Sequence, residues 1–194
     1  MDFSFTEEQE LLAENLVEFM DREYPESLIK ECDEQKIFPV EANKKFYEAG
    51  FGAIGVPEEL GGVPADMVTM CLVTCIVYRY SWAGCTYSPL SIMNAADKAS
   101  PEIRTEMLEG LMSGEKRHSF GNTEPGAGSD AAGIKTSYKK VDGGYVINGH
   151  KIYNTYASCS DYNIITANIV AAAILSLAPH VPVLMAPGAR GYAE

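Results

Sequence analysis

The residues best suited to chemistry form one glycine-rich segment, which runs Phe120-Gly121-Asn122-Thr123-Glu124-Pro125-Gly126-Ala127-Gly128-Ser129-Asp130. Its glycines allow the backbone to approach a ligand closely, and Thr123 and Ser129 add hydroxyl groups that donate and accept hydrogen bonds. Such a segment suits a phosphate or a heterocycle that backbone N–H groups hold. The same residue types also build ordinary turns, so a plain connection between two domains is the alternative interpretation.

Glu124 is a carboxylate inside this segment, and a carboxylate can act as a general base. Its position beside Pro125 in a loop favours another role, in which the carboxylate accepts hydrogen bonds from the backbone. We therefore expect Glu124 to fix the geometry of the loop rather than to move protons.

The sequence does not contain the motifs of several other kinds of functional site. Gly126 and Gly128 begin a G-x-G pattern, but Gly133 comes too late for the dinucleotide-binding motif, and no strand and helix surround it. Neither G-x-S-x-G nor H-E-x-x-H occurs, which disfavours hydrolases and zinc proteases. The three histidines are dispersed and are predicted to be surface or strand residues: His118, His150 and His180.

The five cysteines indicate neither a disulfide framework nor a metal site, because they are odd in number and contain no C-x-x-C pair. Cys71 and Cys75 lie one helical turn apart in an apolar run without a nearby histidine. Free cysteine commonly behaves as a small apolar core residue, so we predict that both are buried.

Charge and composition exclude further classes of protein. A net charge of −12 leaves no basic excess to displace counterions from a nucleic acid. The first residues contain neither a basic region nor an apolar one that would mark a signal peptide, so we expect a cytoplasmic protein. The apolar run from Met67 to Tyr78 is too short to span a bilayer and ends at Arg79, which predicts a buried helix instead.

Helical signals fill the first part of the chain. Thr6 and Gln9 form a capping box before an amphipathic helix that Tyr24-Pro25 must end. The further helices are predicted from Leu28 to Cys32, from Val40 to Ala49 before the Gly50 stop, from Ala65 to Ala83 as a helix buried all round, and from the Ser100-Pro101-Glu102 start to Gly114. Residues 1–115 therefore form a predicted helical domain.

Strand signals begin at Arg117. A β-hairpin is predicted over residues 134–148 around Asp142-Gly143-Gly144, and short strands are predicted for Ile152 to Thr155 and Tyr162 to Thr166. Residues 116–167 therefore form a predicted partial β domain, and the fold class is α+β.

Residues 168–194 form an atypical tail. From Asn163 onward only Arg190 and Glu194 are charged, and Ile169 to Leu177 is apolar without alternation. Two interpretations stay open. The segment is a buried strand or helix followed by a Pro/Gly-rich end, or the sequence departs here from that of its ancestor through a frameshift or a premature end.

The run from Thr123 to Asp130, with Gly133 beyond it, resembles the signature of the acyl-CoA dehydrogenase family. Asn122 departs from that pattern, because the family usually carries an aliphatic residue there. The resemblance covers residues 3–167. Three other stretches agree in the same order along the chain: Glu7-Glu8-Gln9, Val56-Pro57-Glu58-Glu59-Leu60-Gly61-Gly62 and Val146-Ile147-Asn148-Gly149-His150-Lys151-Ile152-Tyr153-Asn154-Thr155.

The resemblance implies a site for FAD. Thr123 would hydrogen-bond to the isoalloxazine ring, and Gly128 and Ser129 would meet the pyrophosphate, with Ser129 also near an acyl-CoA substrate. Tyr153 takes a place often held by tryptophan against the ring, and Thr155 would bond near N5. The implied cofactor-binding residues are Phe120, Thr123, Gly128, Ser129, Tyr153 and Thr155.

The resemblance also implies a truncated acyl-CoA dehydrogenase fold, with a helical amino-terminal domain and part of a β-barrel-like middle domain. Complete members add a four-helix domain with the glutamate that removes the α-proton while hydride leaves to the flavin. That region is not matched here, so no catalytic residue is assigned and the chain alone is expected to be nearly inactive. For the intact protein, the family implies electron-transfer flavoprotein as a partner and a homo-oligomer.

Two function classes follow from the resemblance. One is a flavoenzyme that dehydrogenates an acyl-CoA thioester at its α,β bond, or performs the reverse reduction. The other is a non-catalytic fragment or binding remnant of the same fold. Within the family, Met1-Asp2-Phe3 and Glu31-Cys32-Asp33 are similar to crotonobetainyl-CoA reductases of carnitine metabolism.

Overall fold

The computed structural model describes residues 4–81, 85–99, 101–142 and 144–169, together with the backbone of residues 181–185. They belong to two compact units, Met1–Lys116 and Arg117–Glu194. The first unit is helical and the second carries a partial sheet, so the predicted α+β class is confirmed.

The described part of the first unit contains six α-helices and two short 3-10 turns. Its helices are α1 (Glu7–Glu23), α2 (Glu26–Gln35), α3 (Val40–Glu48), α4 (Met67–Ser81), α5 (Pro89–Lys98) and α6 (Pro101–Met112). The 3-10 turns are Phe51–Ala53 and Glu58–Leu60, and they lie between α3 and α4.

Local signals set the ends of the first helices. The Thr6 hydroxyl accepts a hydrogen bond from the Gln9 backbone N–H at 3.2 Å, and the Gln9 side chain accepts one from the Thr6 N–H at 3.1 Å, which confirms the predicted capping box. Gly50 follows α3 with a φ of 85°, the left-handed conformation that its predicted role as a helix stop requires. Helix α2 extends beyond the predicted span at both ends, and Lys36, which follows its last residue Gln35, ends it with a left-handed φ of 55°.

An aromatic cluster forms part of the core of the first unit. Phe46 is fully buried, and its ring lies 6.1 Å from that of Phe19, 5.8 Å from that of Phe51 and 6.2 Å from that of Tyr87. Most of these ring pairs meet edge to face, the arrangement that the charge distribution of aromatic rings favours. The cluster therefore joins α1, α3 and the segments that follow them.

The prediction that α4 is buried on all sides is wrong. Val73 and Val77 are buried, but Met67 is 68% exposed, and Cys71 and Cys75 are exposed as well. The predicted core positions of these two cysteines are therefore also wrong. An apolar composition permits burial on every side of a helix, but it does not specify how many sides other elements cover.

The second unit is built around one long strand. Its strands are β1 (His118–Gly121), β2 (Ser137–Val141), β3 (Gly144–Asn148), β4 (Tyr162–Ile169) and β5 (Val181–Met185). Strand β4 pairs in parallel with β1 and with the start of β2, and antiparallel with β5. Strands β2 and β3 form the predicted antiparallel hairpin.

One predicted strand is absent from the described part of the second unit. The chain from Ile152 to Thr155 makes only an isolated bridge, between Thr155 and Phe120. The reason is backbone conformation, because Tyr153 and Tyr156 both have positive φ angles, of 59° and 65°, which interrupt an extended chain. The predicted strand at Tyr162 is confirmed and is longer than expected.

Some predictions fall outside the described residues. They are the opening Met1-Asp2-Phe3, the cap at Ser100, the turn residue Gly143, His180 and most of the tail, namely residues 170–180 and 186–194. Within the tail, Asn168 and Ile169 belong to β4, and the backbone of residues 181–185 forms β5. Across the helices that the structure describes, none combines the length and hydropathy needed to cross a bilayer.

Replacement of Leu16 by alanine should lower the free energy of unfolding by about 2–5 kcal/mol, because Leu16 is fully buried and its removal leaves a cavity. Leu11→Ala is the matched control on the same helix, since Leu11 is 59% exposed, and its effect should stay within about 0.5 kcal/mol. Urea unfolding followed by circular dichroism measures both. Equal losses in the two variants would contradict the placement of α1.

Candidate functional site

Two segments of the second unit lie side by side and bring four of the six predicted site residues together. Phe120 and Thr155 form an antiparallel bridge, and the Ile152 N–H donates a 2.9 Å hydrogen bond to the Thr123 carbonyl. Tyr153 lies between the two points of contact on its own segment. The predicted residues Phe120, Thr123, Tyr153 and Thr155 are therefore neighbours along one short pairing.

The aromatic side chains of this pairing are open to solvent. Phe120 is 46% exposed and Tyr153 is 86% exposed, although both are large apolar or amphipathic groups. Tyr153 also holds a left-handed backbone conformation, which is uncommon for a bulky residue and costs free energy. Strained backbone of this kind concentrates at ligand-binding sites, so the two exposed rings mark a candidate binding surface.

The other two predicted residues, Gly128 and Ser129, lie outside this pairing. Both are exposed and follow a tight turn in which the Glu124 N–H donates to the Ala127 carbonyl at 2.9 Å and the Ala127 N–H donates back at 3.1 Å. A Cβ atom on Gly128 would meet nothing within 4 Å, so the surrounding protein does not require glycine there. The open backbone at this position suits a ligand that approaches closely.

Gly121 in β1 lies against the Asn154 side chain of the other segment. A Cβ atom at that position would lie 2.6 Å from the side-chain oxygen of Asn154. A side chain at position 121 would therefore displace the end of the Asn154 side chain.

A buried ion pair connects the segments that carry the exposed rings. The Glu124 carboxylate lies 2.9 Å from Lys151 Nζ, and the two side chains are only 7% and 6% exposed. The carboxylate also accepts hydrogen bonds from the backbone N–H groups of Lys135 at 2.6 Å and Thr136 at 2.8 Å. These contacts confirm the expectation that Glu124 accepts backbone hydrogen bonds and fixes the loop.

Sequence reasoning did not single out Lys151 as a site residue. Its Nζ donates to the Asn122 carbonyl at 2.9 Å and to the Thr166 hydroxyl at 3.1 Å, in addition to Glu124. The Thr166 hydroxyl in turn donates to the Asn122 side-chain oxygen at 2.8 Å. The sequence did contain a signal for this pair. One matched segment, Val146 to Thr155, carries the cation Lys151, and the glycine-rich segment carries the carboxylate Glu124.

These contacts decide the protonation state of Glu124. Burial raises the pKa of the carboxyl, but the hydrogen bonds from Lys151, Thr136 and Lys135 outweigh it and lower the pKa from 4.5 to about 2. The group is therefore ionised at neutral pH. A general base works best with a pKa near the operating pH, so Glu124 is poorly suited to that role.

Two of the three histidines, His118 and His150, lie within the described residues. His118 lies buried in β1, and burial lowers its pKa from 6.5 to about 4, which leaves it neutral at pH 7. His150 is exposed after β3. No group of three metal-ligating side chains occurs within the described residues.

The order of units and segments defines a class of protein, one with the acyl-CoA dehydrogenase fold. Two family models match consecutive parts of the chain: acyl-CoA dehydrogenase N-terminal domain over residues 6–115, and acyl-CoA dehydrogenase middle domain over residues 119–183. The second match extends beyond residue 167, where the resemblance seen in the sequence stopped. The chain belongs to the acyl-CoA dehydrogenase family.

Similar proteins agree with this assignment. A curated relative, the "Probable acyl-CoA dehydrogenase YdiO" of Escherichia coli strain K12, is 32% identical over 169 residues, which are 86% of this chain and 44% of the relative. The chain thus spans about half the length of the curated relatives that it matches.

Solved structures share the fold. The "FAD complex of PigA" has a TM-score of 0.80 and 25% identity, over 97% of this chain and 50% of that one. The acyl-CoA dehydrogenase complexed with FAD from Bacillus anthracis has a TM-score of 0.78 and 26% identity, over 94% of this chain and 31% of that one.

The low pKa of Glu124 predicts acid-sensitive stability. A carboxyl whose pKa is lower in the folded state stabilises the fold above its unfolded pKa, and this contribution is lost as pH falls towards the folded pKa. Glu124→Gln should therefore cost roughly 3 kcal/mol near pH 7, because Lys151 would stay buried without its counter-charge.

The difference between Glu124→Gln and the unmodified chain should shrink as the pH is lowered from about 5 towards about 2, since the carboxyl then gains a proton. Urea unfolding across this range measures the difference. A gap that stays constant with pH would show that the carboxylate charge does not contribute.

Proposed function

We propose that the second unit binds FAD and that the intact protein is a flavin-dependent oxidoreductase acting on the CH–CH group of an acyl-CoA thioester. The reaction is α,β-dehydrogenation or the reverse reduction. The observation that carries this proposal is the pairing of residues 120–123 with residues 152–155, two short segments that carry two exposed aromatic rings, Phe120 and Tyr153, and two threonines, Thr123 and Thr155. Membership of the acyl-CoA dehydrogenase family and the FAD complexes among similar structures support it.

The residues present fit the chemistry of a flavin. Thr123 and Thr155 offer hydroxyl groups to the polar edge of an isoalloxazine ring, and the exposed Tyr153 ring offers an aromatic face for stacking. Gly128 and Ser129 offer open backbone and a hydroxyl to a pyrophosphate. Ser129 is also the proposed contact of the acyl-CoA substrate, and Phe120 the proposed apolar wall of the flavin site.

When bound, FAD supplies a group that accepts or donates hydride. The chain's own residues hold the ligand: the backbone pairing sets the distance between the two segments, and the two threonines orient polar atoms. Removal of the α-proton of the thioester needs a base whose pKa suits the task, and Glu124, with a pKa of about 2, does not provide one. We therefore expect the 194-residue chain alone to bind FAD and to turn over substrate slowly.

The second candidate is a non-catalytic fragment or binding remnant of the same fold. It is favoured by one observation, that the carboxylate of the glycine-rich segment is unsuited to act as a base, because the pKa of Glu124 is lowered to about 2. Such a protein would hold FAD or an acyl-CoA without net chemistry.

The finer assignments rest on the family resemblance. We propose electron-transfer flavoprotein as the redox partner of the intact protein, a homo-oligomeric assembly and a cytoplasmic location. The similarity of Glu31-Cys32-Asp33 to crotonobetainyl-CoA reductases makes carnitine metabolism the proposed context.

The proposed function predicts two spectroscopic observations, one of FAD binding and one of FAD reduction. The purified chain should quench the fluorescence of added FAD, because a flavin bound against an aromatic ring is quenched. Joined to the carboxy-terminal half of the Escherichia coli relative, it should retain yellow FAD that a short acyl-CoA bleaches without oxygen. Absence of FAD from both proteins would refute the function, and bound FAD that no acyl-CoA bleaches would favour the binding remnant.

Thr123→Val should weaken FAD binding about fivefold, because it removes one hydroxyl hydrogen bond worth about 1 kcal/mol while preserving the side-chain shape. Thr105→Val is the matched control, since Thr105 is exposed on α6 in the first unit. Fluorescence titration with FAD gives the dissociation constants. The placement of Thr123 against the flavin would be wrong if both variants bound FAD equally well.

A further inference from the structure

Three stretches of the second unit meet at one ammonium group: the glycine-rich segment, the segment of Lys151 itself and β4. Lys151 Nζ has three protons and three acceptors: the Asn122 carbonyl at 2.9 Å, the Glu124 carboxylate at 2.9 Å and the Thr166 hydroxyl at 3.1 Å. The hydrogen-bonding capacity of the ammonium is therefore filled within the protein.

The Glu124 carboxylate is satisfied in the same way. One oxygen accepts from Lys151 and from the Thr136 N–H, and the other accepts from the Lys135 N–H. Thr136 is tied to the sheet in turn, because its carbonyl accepts a 2.8 Å hydrogen bond from the Asn168 N–H of β4. The ion pair thus connects the glycine-rich segment to residues 135–136, to residue 151 and to β4.

The contact points lie next to the residues that face the proposed ligand. Asn122 and Glu124 flank Thr123, and Lys151 is followed by Ile152, whose N–H bonds to the Thr123 carbonyl at 2.9 Å. A displacement of the Lys151 backbone relative to Glu124 would therefore also displace Ile152 relative to Thr123, because these are the next residues along the two segments.

We propose that Glu124 and Lys151 are positioning residues for the flavin: their buried ion pair, which we call the clamp, sets the spacing between the two segments that face the cofactor. This inference rests on the proposed function. The clamp acts through the backbone of the segments that carry Phe120 and Tyr153, because Lys151 bonds to the Asn122 carbonyl and lies next to Ile152. Because both charges are buried, loss of one partner leaves the other without compensation.

An exposed ion pair of the same chemistry provides the matched control. Lys44 Nζ lies 3.1 Å from a Glu115 carboxylate oxygen, but the two side chains are 36% and 61% exposed. Exposed pairs contribute little to stability, so Glu115→Gln and Lys44→Met should leave the second unit unchanged.

The test uses the full chain with Glu124→Gln, Lys151→Met and the double variant. Without FAD, amide hydrogen exchange of Ile152 reports directly on its bond to Thr123. Each single variant should raise the exchange rate of the Ile152 amide at least about tenfold. In the double variant, the rate should rise by less than the product of the two single increases, because no buried charge is left without its partner. With FAD, each single variant should raise the dissociation constant at least about tenfold.

A spectroscopic measurement separates positioning from a loss of fold. At saturating FAD, the visible circular dichroism of the bound flavin should differ between each single variant and the unmodified chain, and should not differ in Glu115→Gln. If a single variant does not fold, Thr166→Val is the milder change, since it removes one of the three acceptors of Lys151, and it should shift the same measurements less.

The outcomes distinguish the two proposals. An unmodified chain that binds no FAD overturns the proposed function, and Ile152 exchange then decides alone whether the clamp couples the two segments. Unchanged Ile152 exchange in the single variants, or multiplicative effects in the double variant, overturns the clamp. Unchanged FAD affinity and flavin spectrum in the single variants, with FAD bound by the unmodified chain, overturns its positioning role.

Discussion

A carboxylate removed from water must keep a counter-charge and enough donors, and this constraint organises the second unit. Glu124 and Lys151 are 27 residues apart in the chain, yet both are almost fully buried and 2.9 Å from one another. Burial of both charges is tolerated only because the amides of Lys135 and Thr136 complete the carboxylate. In the proposed clamp, this ion pair also sets where Ile152 meets Thr123, whose carbonyl accepts its N–H.

The features that sequence predicted correctly are those with local causes. The Thr6 capping box, the Gly50 helix stop and the hairpin of β2 and β3 each depend on residues a few positions apart. The role of Glu124 could be predicted for the same reason, from its neighbours in a turn. Its partner Lys151 could not, because a contact across 27 residues leaves no periodicity in the sequence.

The wrong predictions inferred backbone conformation or burial from amino-acid composition alone. The stretch from Ile152 to Thr155 contains residues that favour strands, but the left-handed Tyr153 bends it away from a ladder. Helix α4 is apolar on all sides, yet Val73 and Val77 are buried while Cys71 and Cys75 are exposed. An apolar side of a helix can pack against another element, but the positions of the neighbouring elements determine which sides are buried.

The interactions that hold the candidate site together also limit what its carboxylate can do. Each donor that stabilises the Glu124 anion lowers its affinity for a proton, so a carboxylate held this firmly is a weak base at neutral pH. Burial also limits His118, because it lowers the pKa of the imidazole to about 4 and so leaves the group neutral near pH 7. Proton transfer in the proposed reaction therefore needs a group other than these two, while Glu124 and Lys151 hold the segments that would face the proposed cofactor.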